Sequence, residues 1–170
     1  DRTSGQSSAL TLQGDIYDGR PDPDGGSPVV ARGANVLGRW TRAISEGSEL
    51  SLQLYYDRTY RDFGNGFTED LATYDGAWQH RFQPGRRQEV VWGLGVRLMD
   101  HRTDNLPQLA FTPAHKLLHL YSGFVQDQLL LVPGSLQLTL RAGLEHNDYT
   151  GLEVQPSGRL AWTPGPRHTL

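Results

Sequence analysis

The sequence contains no cysteine and only one lysine, Lys116, against fifteen arginines. Without thiols there is neither a disulfide framework nor a thiolate metal site, and a cysteine nucleophile is excluded. An excess of charge of either sign is also missing: 16 Lys+Arg against 19 Asp+Glu leave a formal charge of -3 over 170 residues. Such a balance offers little to a polyanion, so nucleic acid is not an expected partner. Long apolar runs are absent as well. The longest, such as Leu129 to Val132, fall far short of the ~18 residues that a membrane-spanning helix needs. The first twenty residues show no charged start followed by an apolar core, so any targeting peptide is expected to have been removed or to lie further upstream. If the chain crosses a membrane, it does so as a β-barrel.

What is present points to β-structure. Glycine (20) and proline (10) punctuate the chain, and apolar residues rarely recur at the three-and-four spacing of an amphipathic helix. They alternate instead. Leu50, Leu52, Leu54 and Tyr56 interleave with Ser51, Gln53, Tyr55 and Asp57. The same period-two pattern runs through Val90, Trp92, Leu94, Val96 and Leu98, and through Leu136, Leu138, Leu140 and Leu144. Strands are predicted at 8–17, 33–44, 49–60, 72–82, 88–101, 118–131, 136–146 and 153–162. Their lengths cluster around the ~9–11 residues of a tilted transmembrane strand and exceed the ~5–6 usual in soluble sheets.

The predicted connections alternate between short and long. Segments 45–48, 83–87 and 132–135 read as tight turns, and 18–32, 61–71, 102–117 and the smaller 147–152 as longer loops. An up-and-down meander then carries its tight turns at one end, as outer-membrane barrels do. The four tryptophans fall in the strand halves nearest the tight turns and the tyrosines in the halves nearest the long loops, suiting two interfacial girdles. The expected fold is therefore all-β, an antiparallel up-and-down meander of about eight long strands over 1–170. It would belong to a transmembrane β-barrel, and the resemblance given next implies a segment of one, which in isolation stays an open curved sheet or closes as a small barrel.

Three segments carry a family resemblance: Tyr121-Ser-Gly-Phe-Val-Gln-Asp127, Leu144-Glu-His-Asn-Asp-Tyr-Thr-Gly151 and Gln155-Pro-Ser-Gly-Arg-Leu-Ala-Trp-Thr-Pro164. In this order they resemble consecutive strand motifs in the barrel domain of TonB-dependent outer-membrane receptors. Arg141-Ala-Gly-Leu-Glu145 departs from the family's Gly-x-Arg-Leu-Glu order. The resemblance is strong over 118–164, and looser, by strand and loop rhythm, before it. It implies a bacterial outer-membrane location and energised uptake of a scarce chelate of the ferric siderophore or corrinoid class. The implied partners are the remaining barrel strands, a plug domain, the TonB complex reached through that plug, the lipid bilayer and the small-molecule chelate. Because such barrels have about 22 strands around a plug, the chain is expected to be an interior piece of the wall. Thr163-Pro-Gly-Pro-Arg-His168 reads as a turn leading into a further strand. Two alternatives stay open: a self-contained eight-stranded outer-membrane barrel with a structural or adhesive role, and a soluble all-β binding module, compatible with a mean hydropathy of -0.53.

Few residues suggest chemistry. Gly93-Leu-Gly95 lacks the third glycine and the helix of a dinucleotide turn, and no Gly-x-Ser-x-Gly elbow occurs. No enzymatic activity and no organic cofactor are expected. His115 and His119 have no carboxylate to complete a metal site. Asp18, Asp22 and Asp24 offer hard oxygen ligands in a turn-rich segment and form a weak Ca²⁺ candidate, although turn formation alone accounts for them. The polar faces carry Asp57, Arg97, Arg141, Glu145 and Arg159, expected to line a lumen and pair with one another or with a plug. Asn65, Phe67, Asn105, Gln108 and Phe111, in the long polar segments, are the expected ligand-contact residues.

Overall fold

The computed structural model describes residues 7–20 and 29–164. Eight strands follow one another: β1 Ser8–Gly19, β2 Val30–Ser45, β3 Ser48–Asp62, β4 Thr68–Gly85, β5 Gln88–Asp104, β6 His115–Val132, β7 Leu136–Asn147 and β8 Gly151–Trp162. Every consecutive pair is antiparallel, and together they form one open sheet in chain order. The fold is thus the all-β up-and-down meander, with the tight turns together at one end. There, Gly47 and Gly134 take the positive φ that their hairpins require.

Several strands outrun their apolar pattern. β2 begins at Val30, β4 at Thr68 and β6 at His115, and β5 continues to Asp104. Polar pairs carry the ladder past the last alternating apolar residue. Asp62 faces Thr68, and the Thr68 hydroxyl donates to Asp104 Oδ2 at 2.8 Å. The long loops shrink accordingly, so that β3 and β4 are joined by five residues, 63–67, and β7 and β8 by three, 148–150.

The tight turns are staggered. Ser48, at the start of β3, shares a rung with Phe82, Val90, Asp127 and Leu140, whereas β7 starts four residues earlier, at Leu136. That is one residue per strand. A step of ~3.3 Å along each strand for ~4.8 Å across the sheet tilts the strands by roughly 35° from the perpendicular to the line of turns.

Register separates two faces. One holds Leu10, Leu12, Trp40, Leu50, Leu52, Leu54, Trp78, Trp92, Leu94, Val96, Leu138, Leu140, Leu144 and Leu160, rung beside rung. The other holds Asp15, Arg39, Gln53, Asp57, Asp75, Gln79, Arg81, Arg97, Arg141, Glu145 and Arg159. Among the described residues no second layer covers either face. Among the described residues Phe67 is the only buried hydrophobic side chain, at 6% exposure, while Ile16 stands 88% exposed.

Candidate functional site

The loop end carries the densest set of side-chain contacts. In the β3–β4 loop the Asp62 carboxylate accepts from the Gly64 N–H at 2.8 Å, and the Asn65 side-chain oxygen accepts from the Phe67 N–H at 3.0 Å. Gly64 and Gly66 have positive φ, so the chain doubles back within five residues. Phe67 is thereby held between Phe63 and Phe111, with ring centroids 5.4 and 6.0 Å away.

The β5–β6 connection closes on this knob. Leu106 and Leu109 exchange both backbone hydrogen bonds in a miniature hairpin. The Asn105 amide donates to the Phe111 carbonyl at 2.9 Å, and its oxygen accepts from the Phe111 N–H at 3.0 Å, as a neighbouring strand would. The Thr103 hydroxyl, 8% exposed, donates to the same Asn105 oxygen. Beneath Phe111 stands His101, ring centroids 6.1 Å apart and edge to face. His101 Nε2 lies 3.0 Å from Glu69 Oε1, and Arg61 donates to Glu69 Oε2 at 3.4 Å. The two loops and the polar-face residues beneath them form one unit.

Asn65, Phe67, Asn105 and Phe111 are therefore brought together, with their polar groups engaged inside the loops. Phe111 remains half exposed, and Gln108 stands apart at the exposed hairpin tip. The polar-face residues do not converge. Asp57 accepts from the Tyr55 hydroxyl at 3.4 Å and from Thr59, whose hydroxyl also meets Tyr17. Arg97 binds Asp75 at 2.8 Å, Arg141 lies over the Phe124 ring at 4.7 Å, and Glu145 accepts from Asn147. Arg159 faces Thr139.

The Ca²⁺ candidate divides. Asp18, expected in a loop, belongs to β1 and pairs across with Arg32 because the ladder runs to Gly19. Asp22 and Asp24 lie outside the described residues. Among the described residues no group of three metal-ligating side chains occurs. His115 and His119 sit on one strand, and each meets a carboxylate: Asp100 at 2.7 Å and Asp148 at 3.1 Å. The His119 N–H also donates to Asp148 at 2.6 Å. That backbone bond, followed by the imidazole contact, holds the Asp148 carboxyl below its ordinary pKa.

Sequence reasoning missed an ionic row on the apolar face itself. Beyond the paired rings of Tyr56 and Tyr74, with centroids 5.0 Å apart, come two bidentate pairs. Arg58 grips Asp70 with contacts of 2.6 and 3.0 Å, and Arg102 grips Asp100 at 2.9 and 3.3 Å. Their parity is that of the leucines, which was the available signal. Their positions at the predicted loop borders concealed it.

At the opposite end Ser48 Oγ lies 2.9 Å from His80 Nε2. That imidazole packs against Phe82 and Trp92, and among the described residues no carboxylate orients it as a nucleophile's base requires. No protein-family model, curated protein or solved structure matches the chain.

Proposed function

We propose that the chain forms part of the wall of a bacterial outer-membrane β-barrel, of the TonB-dependent receptor type that residues 118–164 resemble, serving uptake of a ferric siderophore- or corrinoid-class chelate. The observation that carries this reading is a single-layered sheet on whose apolar face none of the described residues packs. Exposed apolar area on this scale needs a cover, and a bilayer fits its dimensions. On β2 the apolar face runs from Arg42 to Arg32. Ten residues at ~3.3 Å, tilted by roughly 35–40°, span about 25 Å, the height of the lipid-facing band of such barrels. Trp40, Trp78, Trp92 and Trp162 lie in the turn-side half of this band, and Tyr56, Tyr74 and Tyr121 in the loop-side half. The opposite face, with its Arg and Asp pairs, would line the lumen and meet a plug, and the loop knob would stand outside to receive the chelate.

Tryptophan fluorescence in vesicles of brominated lipid tests the membrane reading, because all four indoles lie on the apolar face. Quenching by bromine near the headgroups should exceed quenching by mid-chain bromine. A chain that stays in the aqueous phase with its indoles protected would favour the soluble binding module. For the transport reading, replacing the hairpin tip 106–109 by two glycines in the parent receptor should lower chelate uptake without reducing assembly.

A further inference from the structure

Three neighbouring hollows on the apolar face share lining residues. The lowest, about 490 Å³, has Gly38 and Gly76 on its floor, Val36, Leu54 and Val96 as walls, and Tyr56 and Tyr74 at its loop end. Those two tyrosines also line the next cavity, with Arg58, Asp70, Asp100 and Arg102. Arg58 and Asp70 in turn border a third, about 600 Å³, that reaches Arg32 and Asp18. Together they form a run of neighbouring hollows along the face, apolar below the Tyr56–Tyr74 ring pair and ionic above it.

The glycines are not there for backbone reasons, since neither has a positive φ. Nor are they forced by crowding. A Cβ on Gly38 would meet nothing nearer than Leu12 Cδ1 at 3.9 Å, and on Gly76 nothing nearer than Val96 Cγ1 at 3.5 Å. What their missing side chains create is the groove. At its mouth the charges are balanced, with three guanidinium groups and the carboxylates of Asp18, Asp70 and Asp100, so net charge does not define the ligand. Geometry does. Asp70 and Asp100 each take two contacts from one arginine and so fix its plane. Arg32 faces Asp18 and lies over the Tyr60 ring at 4.7 Å, and among the described residues no carboxylate forms an ion pair with it, so its guanidinium suits an acceptor of tetrahedral oxygens.

Resting on the barrel-wall reading, we propose that this run of hollows holds one phosphate-bearing lipid, its acyl chain over Gly38 and Gly76, its ester region lying across the Tyr56–Tyr74 ring pair, and its phosphate at Arg32 beside the Arg58 and Arg102 pairs. An apolar slot ending in oriented guanidinium groups matches an amphiphile with an anionic head and matches neither half of it alone.

Native mass spectrometry of the full chain in detergent, with dilauroyl phosphatidic acid as probe, tests this. One lipid per chain should be retained. Dilauroylglycerol, or the Arg32→Gln variant, should lower retention about tenfold, as expected for the loss of one charge-assisted contact. Gly38→Leu, which puts a side chain into the groove at a position where a Cβ meets nothing nearer than 3.9 Å, should do likewise, and Thr139→Ala on the other face should change nothing. Equal retention of dilauroylglycerol, or binding of inorganic phosphate with no gain from the acyl chains, would overturn the proposal. So would an inserted, heat-modifiable chain that holds no phosphatidic acid, and the barrel-wall reading would survive that result. A chain that enters neither micelles nor vesicles overturns both.

Discussion

The two faces of the sheet share one backbone and differ by a single step in parity, but they handle charge in opposite ways. On the polar face charges occur along the strands and are met inside the sheet: Arg97 by Asp75, Arg81 by Glu49 and Glu89, Arg39 by Gln53. On the apolar face the loop-side charges begin only beyond Tyr56 and Tyr74, where Arg58 meets Asp70 and Arg102 meets Asp100. On the barrel-wall reading proposed above, the difference follows from what would lie opposite each face. A face bordering water tolerates charge at any height, whereas a face bordering hydrocarbon tolerates it only at the rims.

The sharpest way to break this comparison is to move a charge across it. Leu94→Arg, in the middle of the apolar face between Trp78 and Gly123, should weaken membrane assembly by about 2–4 kcal/mol. Ser122→Arg, opposite Glu145 on the polar face, should be tolerated. Equal losses in a urea titration of vesicle-inserted protein would mean that the faces do not meet different solvents.

The loop knob offers a next, smaller effect. Phe67→Ala should cost about 2 kcal/mol, less than the ~3–5 of a full core, because a single layer of rings surrounds it. The loss should be local: protease cleavage within 105–114 should rise while assembly is kept. Loss of assembly would show that the knob holds the strands together.

Removing one partner of an exposed pair should matter less. Asp75→Asn leaves Arg97, itself half exposed, without its carboxylate, and about 0.5–1 kcal/mol is expected, shrinking as salt is raised. A loss that salt does not reduce would place that pair in a drier setting than the polar face allows.

The smallest effect concerns acid. Asp148 has its folded-state pKa lowered, first by the His119 N–H. Its contribution is therefore present above the unfolded value near 3.9 and is lost as pH falls through the lower folded value. Amide exchange in the β7–β8 turn should accelerate below about pH 4, and Asp148→Asn should remove that step. Loosening that begins as pH rises would have the wrong sign.

Much of the sheet was legible because period-two alternation is a local property. Leu50 to Tyr56, or Val90 to Leu98, declare their strand and face without knowledge of any neighbour. The strand ends were not, because Thr68, Asp104 and His115 continue the ladder through polar pairing, and a polar residue in sequence does not reveal whether its backbone is paired. The candidate contact residues were legible as loop residues only. That Asn65 and Asn105 are occupied within the loops, and that Phe67 is enclosed between Phe63 and Phe111, depends on two connections about forty residues apart meeting in space.

By itself, then, the sequence determined the strand count, the meander and the separation into two faces, since each follows from composition and spacing within a few residues. Only the tertiary structure decided the stagger of one residue per strand, the apolar groove over Gly38 and Gly76, and the Arg58–Asp70 and Arg102–Asp100 pairs above it. These depend on register between strands, and register is settled by the pairing of the whole sheet.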